Sequence, residues 1–332
     1  MITPMSLVDT ASYMPERVVD NAFFGLDPSK SGSAMFKGTR ERRHIAKGET
    51  AASMIENASR TLAQRLNLDF SRDVDLILTN VSLPDSCFMG CGASVSRMLG
   101  AKPKFILDLH NSGCVSFVYM LAVARELMAS GAVKSALLCC AQTSAGRVFA
   151  HEENRSRAQS AVPGDGCGVG YIVANDSSPI RAVVQRSYGE FADDMVGVSD
   201  DRADYWEPHR QAMHIDFTES KIATVVSRGN KLVPEMIREA CKRAEVPEKA
   251  IDMLVTNQPN VNFLRNWREA LLLPPEKQVH TFEEYGNLFG AAIPVNLERA
   301  RQTGRIAKGS TVAMGGFSHA GDYAAAAIWQ PN

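Results

Sequence analysis

The sequence predicts an α/β protein built from a duplicated unit, on three observations. First, Asp75-Leu76-Ile77-Leu78-Thr79, Lys104-Phe105-Ile106-Leu107 and the stretch from Lys134 to Cys140 have strand length and are largely apolar, as strands buried on both faces are. Second, helix-like stretches alternate with them. Phe117 to Ser130 (FVYMLAVARELMAS) is apolar nearly all round, so its helix is expected to be buried on several sides. Third, the chain repeats itself. ASRTLAQRLNLDF leads into DVDLILTN at 73–80, and MIREACKRAEVP leads into AIDMLVTN at 250–257. GAVKSALLCCAQTSAG at 131–146 is matched, in the same order, by GRIAKGSTVAMGGFSHAG at 304–321. The polar break Asn175-Asp176-Ser177-Ser178-Pro179 places the seam, giving halves 1–176 and 177–332.

Composition narrows the function classes. The 332 residues, 45% of them hydrophobic, suffice for a large core in one domain or two of about 150 residues. A net charge of −1 gives no reason to expect nucleic acid or an anionic membrane as partner. No apolar run approaches the roughly 20 residues of a membrane helix. The start, MITPMSLVDTASYMPERVV, lacks the basic flank and apolar stretch of a signal peptide. Seven cysteines, an odd number with no CxxC pair, read as reduced thiols of a cytoplasmic protein. Cys139, Cys140 and Cys241 lie in apolar or helical segments and read as core.

Chemistry concentrates in a few places. In LDLHNSGCVSFVYM (107–120) a turn of small and polar residues leads to Cys114, at the N-terminal end of the predicted helix. A helix N-terminus favours a thiolate and lowers its pKa; the other reading of Cys114 is a small buried hydrophobe. His110 stands four residues upstream as a candidate base. GDGCGVGYIV (164–173) places its glycines before a strand rather than between strand and helix, which indicates close backbone packing and not a phosphate loop. Asn287 sits in YGNLFGAAIPVNL, a loop followed by a helix with small residues. GGFSHAGDY (315–323) ends a strand in a glycine-rich loop suited to presenting N–H groups to an oxyanion.

Taken in order, six segments resemble the ketoacyl-acyl-carrier-protein synthase III group of the thiolase superfamily. They are ASYMPERVVDN, KGTRERRHIA (37–46), FILDLHNSGCVSF, GDGCG, TNQPN and YGNLFGAAIP, matching the family's Gly-x-Tyr-x-Pro opening, Thr-Gly-Ile-x-Glu-Arg-Arg-Ile-Ala, Phe-Asp-x-x-x-x-Cys-x-Gly-Phe, Gly-Asp-Gly-Ala-Gly, Pro-His-Gln-Ala-Asn and Tyr-Gly-Asn-Thr-Ser-Ala-Ala-Ser-Ile-Pro. The resemblance implies a thiolase-like, duplicated αβαβα five-layer sandwich that forms a homodimer. It implies that Cys114 takes an acyl group from a thioester, that Asn287 is the site amide, and that the backbone N–H groups of Cys114 and Ser318 form the oxyanion hole. By the same resemblance Phe88 is an acyl-pocket residue near the dimer partner, and Asn260 and Arg157 contact the pantetheine and phosphates of the donor. Phe317 is taken as a substrate-binding residue beside them, as is His110. No permanently bound cofactor or metal is implied; a phosphopantetheine thioester, on acyl carrier protein or coenzyme A, is the donor substrate.

The chain departs from the family pattern at Asn257, where the family has its catalytic histidine. An asparagine amide still donates hydrogen bonds but does not exchange protons near neutral pH. Either two amides, Asn257 and Asn287, support decarboxylation alone, or His319 or His110 has taken over the proton, or the acyl group passes to oxygen or nitrogen without carbon–carbon bond formation. His209 and His214 fall in a variable region expected to cap the tunnel. The family's coenzyme A grip is altered too: SGSAMFKG offers Gly32, Phe36 and Lys37, which favours a carrier-protein donor, with Lys221, Arg228 and Lys231 as a docking face or an ordinary solvated one. The expected function is acyl transfer through an acyl-Cys114 thioester to a small-molecule acceptor, by Claisen-type condensation in specialised, polyketide-like metabolism. Alternatives are ester or amide formation, and a non-catalytic partner subunit in a heterodimer with another ketosynthase.

Overall fold

A computed structural model describes residues 3–25, 38–110, 112–208, 211–216 and 219–332. The first five-stranded sheet is built from β1 (Ser6–Tyr13), β2 (Leu76–Val81), β3 (Phe105–Asp108), β4 (Ser135–Gln142) and β5 (Gly166–Val173). The second is built from β6 (Ile180–Ser187), β7 (Met253–Thr256), β8 (Gln278–Val279), β9 (Val312–Ser318) and β10 (Tyr323–Trp329). Their strand orders are β1-β5-β4-β2-β3 and β6-β10-β9-β7-β8, the same order with each number raised by five. In each sheet the three strands at one end are parallel and the two at the other join antiparallel. The repeat seen in DVDLILTN and AIDMLVTN is therefore the repeat of β2 and β7.

Six longer helices accompany the sheets: α1 (Ala51–Leu66), α2 (Gly92–Leu99), α3 (Ser116–Ala129), α4 (Glu219–Arg243), α5 (Val261–Ala270) and α6 (Ala292–Gln302). Three apolar cores define the five layers. Alternate residues of each strand serve different cores, because side chains switch face at every step. Leu76, Leu78, Ala136, Leu138, Val312 and Met314 point inward to the central core with α3 and α6. Ile77, Leu137 and Cys139 point the other way, under α1 and α2, while Leu254, Ala313 and Ala326 do so under α4 and α5. α3 lies between the sheets, which is why its sequence lacks a polar face. Local chemistry sets the ends: Thr50 accepts from Ser53 N at 3.0 Å to cap α1, and Asn67 at φ 53° closes it.

A two-stranded ribbon, Arg17–Asp20 against Glu41–His44, carries the TRERRH stretch. Arg42 is fully buried; Nη1 donates to Val19 O, Nη2 to Asn21 Oδ1 and Ala161 O, and the guanidinium lies over Phe24. His44 is buried between the edges of Phe23 and Phe24, and both ring nitrogens lack a hydrogen-bond partner. Burial, then the charges of Arg17 and Arg42, push it down to about 4. In the unfolded chain His44 binds its proton at its ordinary value near 6.5. Between those two values the unfolded state holds a proton the folded state refuses. Stability from this residue is thus full above about pH 6.5 and falls by up to on the order of 3 kcal/mol as pH drops to about 4. Urea midpoints at neutral pH and near pH 4.5 will diverge more for wild type than for His44→Phe; equal divergence refutes the assignment.

Candidate active site

Four segments converge at one end of the central layer. Ser112, at φ 67°, and Gly113, at φ 27°, turn the chain from β3 into a short 3-10 turn, Gly113–Val115, that runs into α3. Glycine is required at 113: a Cβ there would lie 2.5 Å from Ser318 Oγ, at the end of β9. It is required again at 290, where a Cβ would meet Ser116 Oγ at 2.2 Å and Gly113 O at 2.7 Å. The loop after β8 therefore lies directly on the nucleophile turn. Asn257 follows β7 in that same end region.

Buried amides fix these loops to one another. Gln258 Nε2 donates to Gly286 O at 2.6 Å, and Gln258 Oε1 accepts from Thr281 N at 3.1 Å and Asn296 Nδ2 at 3.0 Å. Asn287 N donates to Val162 O at 2.8 Å, and Gly164 N donates to Asn287 O at 3.1 Å. Asp165 accepts from Ile45 N, Ala145 N and Gly146 N, each at 2.8 Å. Burial still pushes its carboxyl up to about 6, against the pull of those three N–H groups. GDGCG is thus a packing and anchoring segment, as its place before a strand predicts.

The convergence encloses a cavity of about 400 Å³, lined by Cys114, Asn257, Asn287, Phe317, His110 and His319, with apolar walls that include Phe289 and Val225. Asn287 Oδ1 accepts from Phe289 N at 3.0 Å, which leaves Nδ2 as the end for the cavity. Asn257 Nδ2 donates to Phe317 O at 3.1 Å; Oδ1 is buried without a partner, and a Cβ on Gly316 would sit 2.4 Å from it. Ser318 Oγ is a second buried polar atom without a partner at this end. Phe317 packs against Phe263 and Trp267, forming a rigid aromatic wall.

Cys114 corrects one expectation. It precedes α3 by two residues, and its thiol is not lowered. The side chain keeps some surface through the cavity, yet the atoms around the sulfur are dense enough that desolvation pushes the thiol up to about 12. A hydrogen bond from the Asn257 side chain pulls the other way, and the Asp322 charge adds to the rise. The resting group is a thiol.

Three residues expected to contact substrate do not line the cavity of this chain. Asn260 is 1% exposed and does not line the cavity; its Oδ1 accepts from Asn262 N at 2.9 Å and Phe263 N at 3.0 Å, so it caps α5. Arg157 stands outside the cavity wall, paired with Asp200 at 2.6 Å. Phe88, at φ 68°, is fully exposed with Met89 beside it, away from this chain's cavity. Lys221, Arg228 and Lys231 pair with Asp216, Asp194 and Glu235. Gly32, Phe36, Lys37 and His209 lie outside the described residues.

One lining amide was not singled out from the sequence, while His214 falls where it was expected. Asn80 lies next to last in β2, as Asn257 follows β7; it donates to Leu109 O at 2.8 Å and lines the same cavity. The paired LTN and VTN endings were its signal. His214 lines the mouth and pairs with Asp200 at 2.9 Å, from a ribbon of Gly197–Val198 with His214–Ile215. Among the described residues, no helix is long and apolar enough to cross a membrane, and no group of three or more His, Cys, Asp or Glu could hold a metal ion.

Comparisons with known proteins agree with this architecture. The family model described as 3-oxoacyl-[acyl-carrier-protein (ACP)] synthase III matches residues 107–189, and the model of its C-terminal part matches 241–330; together they span more than half of the chain. A beta-ketoacyl-[acyl-carrier-protein] synthase III of Bradyrhizobium sp. is 30% identical over 320 residues, covering 92% of this chain and 93% of that relative. A protein of the same name from Alkalilimnicola ehrlichii is 26% identical over 320 residues, with 94% of each chain covered. The solved structure of a synthase III from Thermus thermophilus is similar with a TM-score of 0.84 at 26% identity, covering 98% of this chain and 99% of that one.

Proposed function

This chain belongs to the 3-oxoacyl-[acyl-carrier-protein (ACP)] synthase III family, an acyltransferase family of condensing enzymes, and from that premise we propose that it carries acyl groups on Cys114. The observation that carries this reading is a thiol enclosed with two amides, Asn257 and Asn287, in a cavity with mostly apolar walls. The Cys114 sulfur attacks a thioester carbonyl, the developing oxyanion is met by the N–H groups of Cys114 and Ser318, and the pantetheine thiol leaves. A malonyl-type thioester then enters. The Asn287 amide, with Asn257, donates to its carbonyl oxygen while carbon dioxide departs. The resulting carbon nucleophile takes the acyl group from Cys114.

We place the donor on acyl carrier protein, with acyl-coenzyme A as the other pantetheine source, and the setting in specialised metabolism, because Asn257 stands where a housekeeping synthase of this family has histidine. A homodimer is part of the same proposal: Phe88 and Met89 offer exposed apolar surface to a second copy. Acyl transfer to a hydroxyl or amine is the second reading, favoured by the absence of a proton carrier at 257. Incubation with acyl thioesters should add one acyl mass at Cys114, and addition of a malonyl thioester should release carbon dioxide and a β-ketoacyl product. An acyl-enzyme that discharges only to hydroxyl or amine acceptors establishes the second reading; no adduct with any donor refutes both.

A further inference from the structure

We infer that His319, oriented by Asp322, accepts the proton of Cys114, so that Cys114, His319 and Asp322 form a relay in place of a histidine at position 257. The inference rests on the reading of Cys114 as the acylated nucleophile. His319 Nδ1 lies 2.9 Å from Asp322 Oδ2 and 3.2 Å from Oδ1. A carboxylate only accepts, so Nδ1 carries the proton and Nε2 presents its lone pair. That lone-pair nitrogen faces the nucleophile turn: a Cβ on Gly113, the residue bonded to Cys114, would sit 3.0 Å from Nε2. His319 and Cys114 line the same cavity.

The placement is imposed by the loop. His319 has φ 45°, a left-handed conformation that costs free energy in a residue with a Cβ and is held where the surroundings determine it. Gly321 at φ 104° brings Asp322 back under the ring, and the ring lies edge-on to Tyr323, centroids 6.4 Å apart. The charged and titratable groups around it are Asp322 on the same loop, Tyr323 on β10, His110 across the cavity, and Arg228 from α4. Arg228 stays charged but is paired: Nη1 donates to both Asp194 Oδ2 and Ala320 O.

The relay answers a need. Burial holds Cys114 as a thiol at neutral pH, and an asparagine at 257 cannot remove its proton. As the sulfur attacks the donor carbonyl, its proton moves to His319 Nε2, directly or through one water. A carbon–sulfur bond forms to Cys114. When the tetrahedral centre collapses, the donor's carbon–sulfur bond breaks and the leaving pantetheine sulfur takes the proton from Nε2. Acyl-Cys114 and a free thiol result, and the imidazole is neutral again. His319 is the catalytic residue; Asp322 is a positioning residue that selects the tautomer and stabilises the imidazolium.

The test is alkylation of Cys114 by iodoacetamide from about pH 6 to about pH 10, read as modification of the peptide carrying Cys114 because Cys87 is exposed as well, in wild type, His319→Gln and Asp322→Asn. His319→Gln should react about 10²-fold more slowly near neutral pH, with the gap closing as hydroxide takes over at alkaline pH, and free imidazole should restore part of the rate. Asp322→Asn should show a smaller loss and a displaced pH midpoint, which a merely structural aspartate would not move. Wild-type rate and profile in both variants overturns the relay, and so does a slowing equal at every pH. His319 is 44% exposed, so the substitution leaves the core untouched, and a thermal melt checks it. Because the probe needs no acyl donor, failure of the relay is distinct from failure of the acyl-enzyme, which shows as no adduct from any thioester.

Discussion

Cys114→Ala will fold and lose acyl transfer by on the order of 10⁴-fold or more. The substitution removes one sulfur atom from a cavity wall and leaves the backbone turn intact, so its cost in stability is small. What disappears is the covalent intermediate. Donor thioester binds in the same apolar cavity, with the N–H groups of residues 114 and 318 unchanged, but nothing attacks the carbonyl. Cys114→Ser restores a polar atom of similar size without restoring the reaction, because a hydroxyl is a weaker nucleophile than a thiol and holds its proton more tightly. Release of free pantetheine thiol, read by a chromogenic disulfide, separates wild type from both variants in one assay. Wild-type thiol release by Cys114→Ala would place the chemistry on another group.

Gly164→Ala will destabilise the fold by about 2–4 kcal/mol, combining overpacking with a weakened buried hydrogen bond. Its Cβ would sit 1.9 Å from the carbonyl oxygen of Tyr285 and 3.0 Å from Arg42 Cβ. No rotamer relieves a clash with backbone, so a strand end or the loop must move. The loop that moves is the one carrying Asn287, whose carbonyl accepts from Gly164 N. Loss of stability is accompanied by loss of turnover, even though residue 164 touches no substrate. Urea unfolding and turnover should fall together; an unchanged midpoint would mean that the contact is relieved elsewhere.

Much of the fold was legible because its signals are local. β2 and β4 place alternate residues in two different cores, and a strand with two buried faces must read LILTN or SALLCC. α3 lacks a polar stripe because it lies between two sheets. The ordered motifs name Cys114, Asn257 and Asn287, and these three line one cavity. Local contacts were less legible where one residue type serves two purposes. The asparagine of TNQPN looks like a pantetheine contact, but α5 needs a cap and Asn260 supplies it. Arg157 looks like a phosphate ligand, and its partner Asp200 is distant in sequence and invisible to any local pattern. The thiol's proton affinity depends on how tightly several segments close over the sulfur, which no single segment reports. Asp322, three residues from His319, was readable as a partner; which way their shared loop aims the ring was not.

The small ribbon at Gly197–Val198 and His214–Ile215 has a consequence for how such an enzyme diversifies. Cys114, Asn257 and Ser318 stand at the ends of two matched sheets, where a shift of one strand disturbs the whole foundation. The ribbon and its loops help to wall the entrance and take part in neither sheet. Substitutions in this ribbon can therefore reshape the entrance while the workbench beneath stays unchanged.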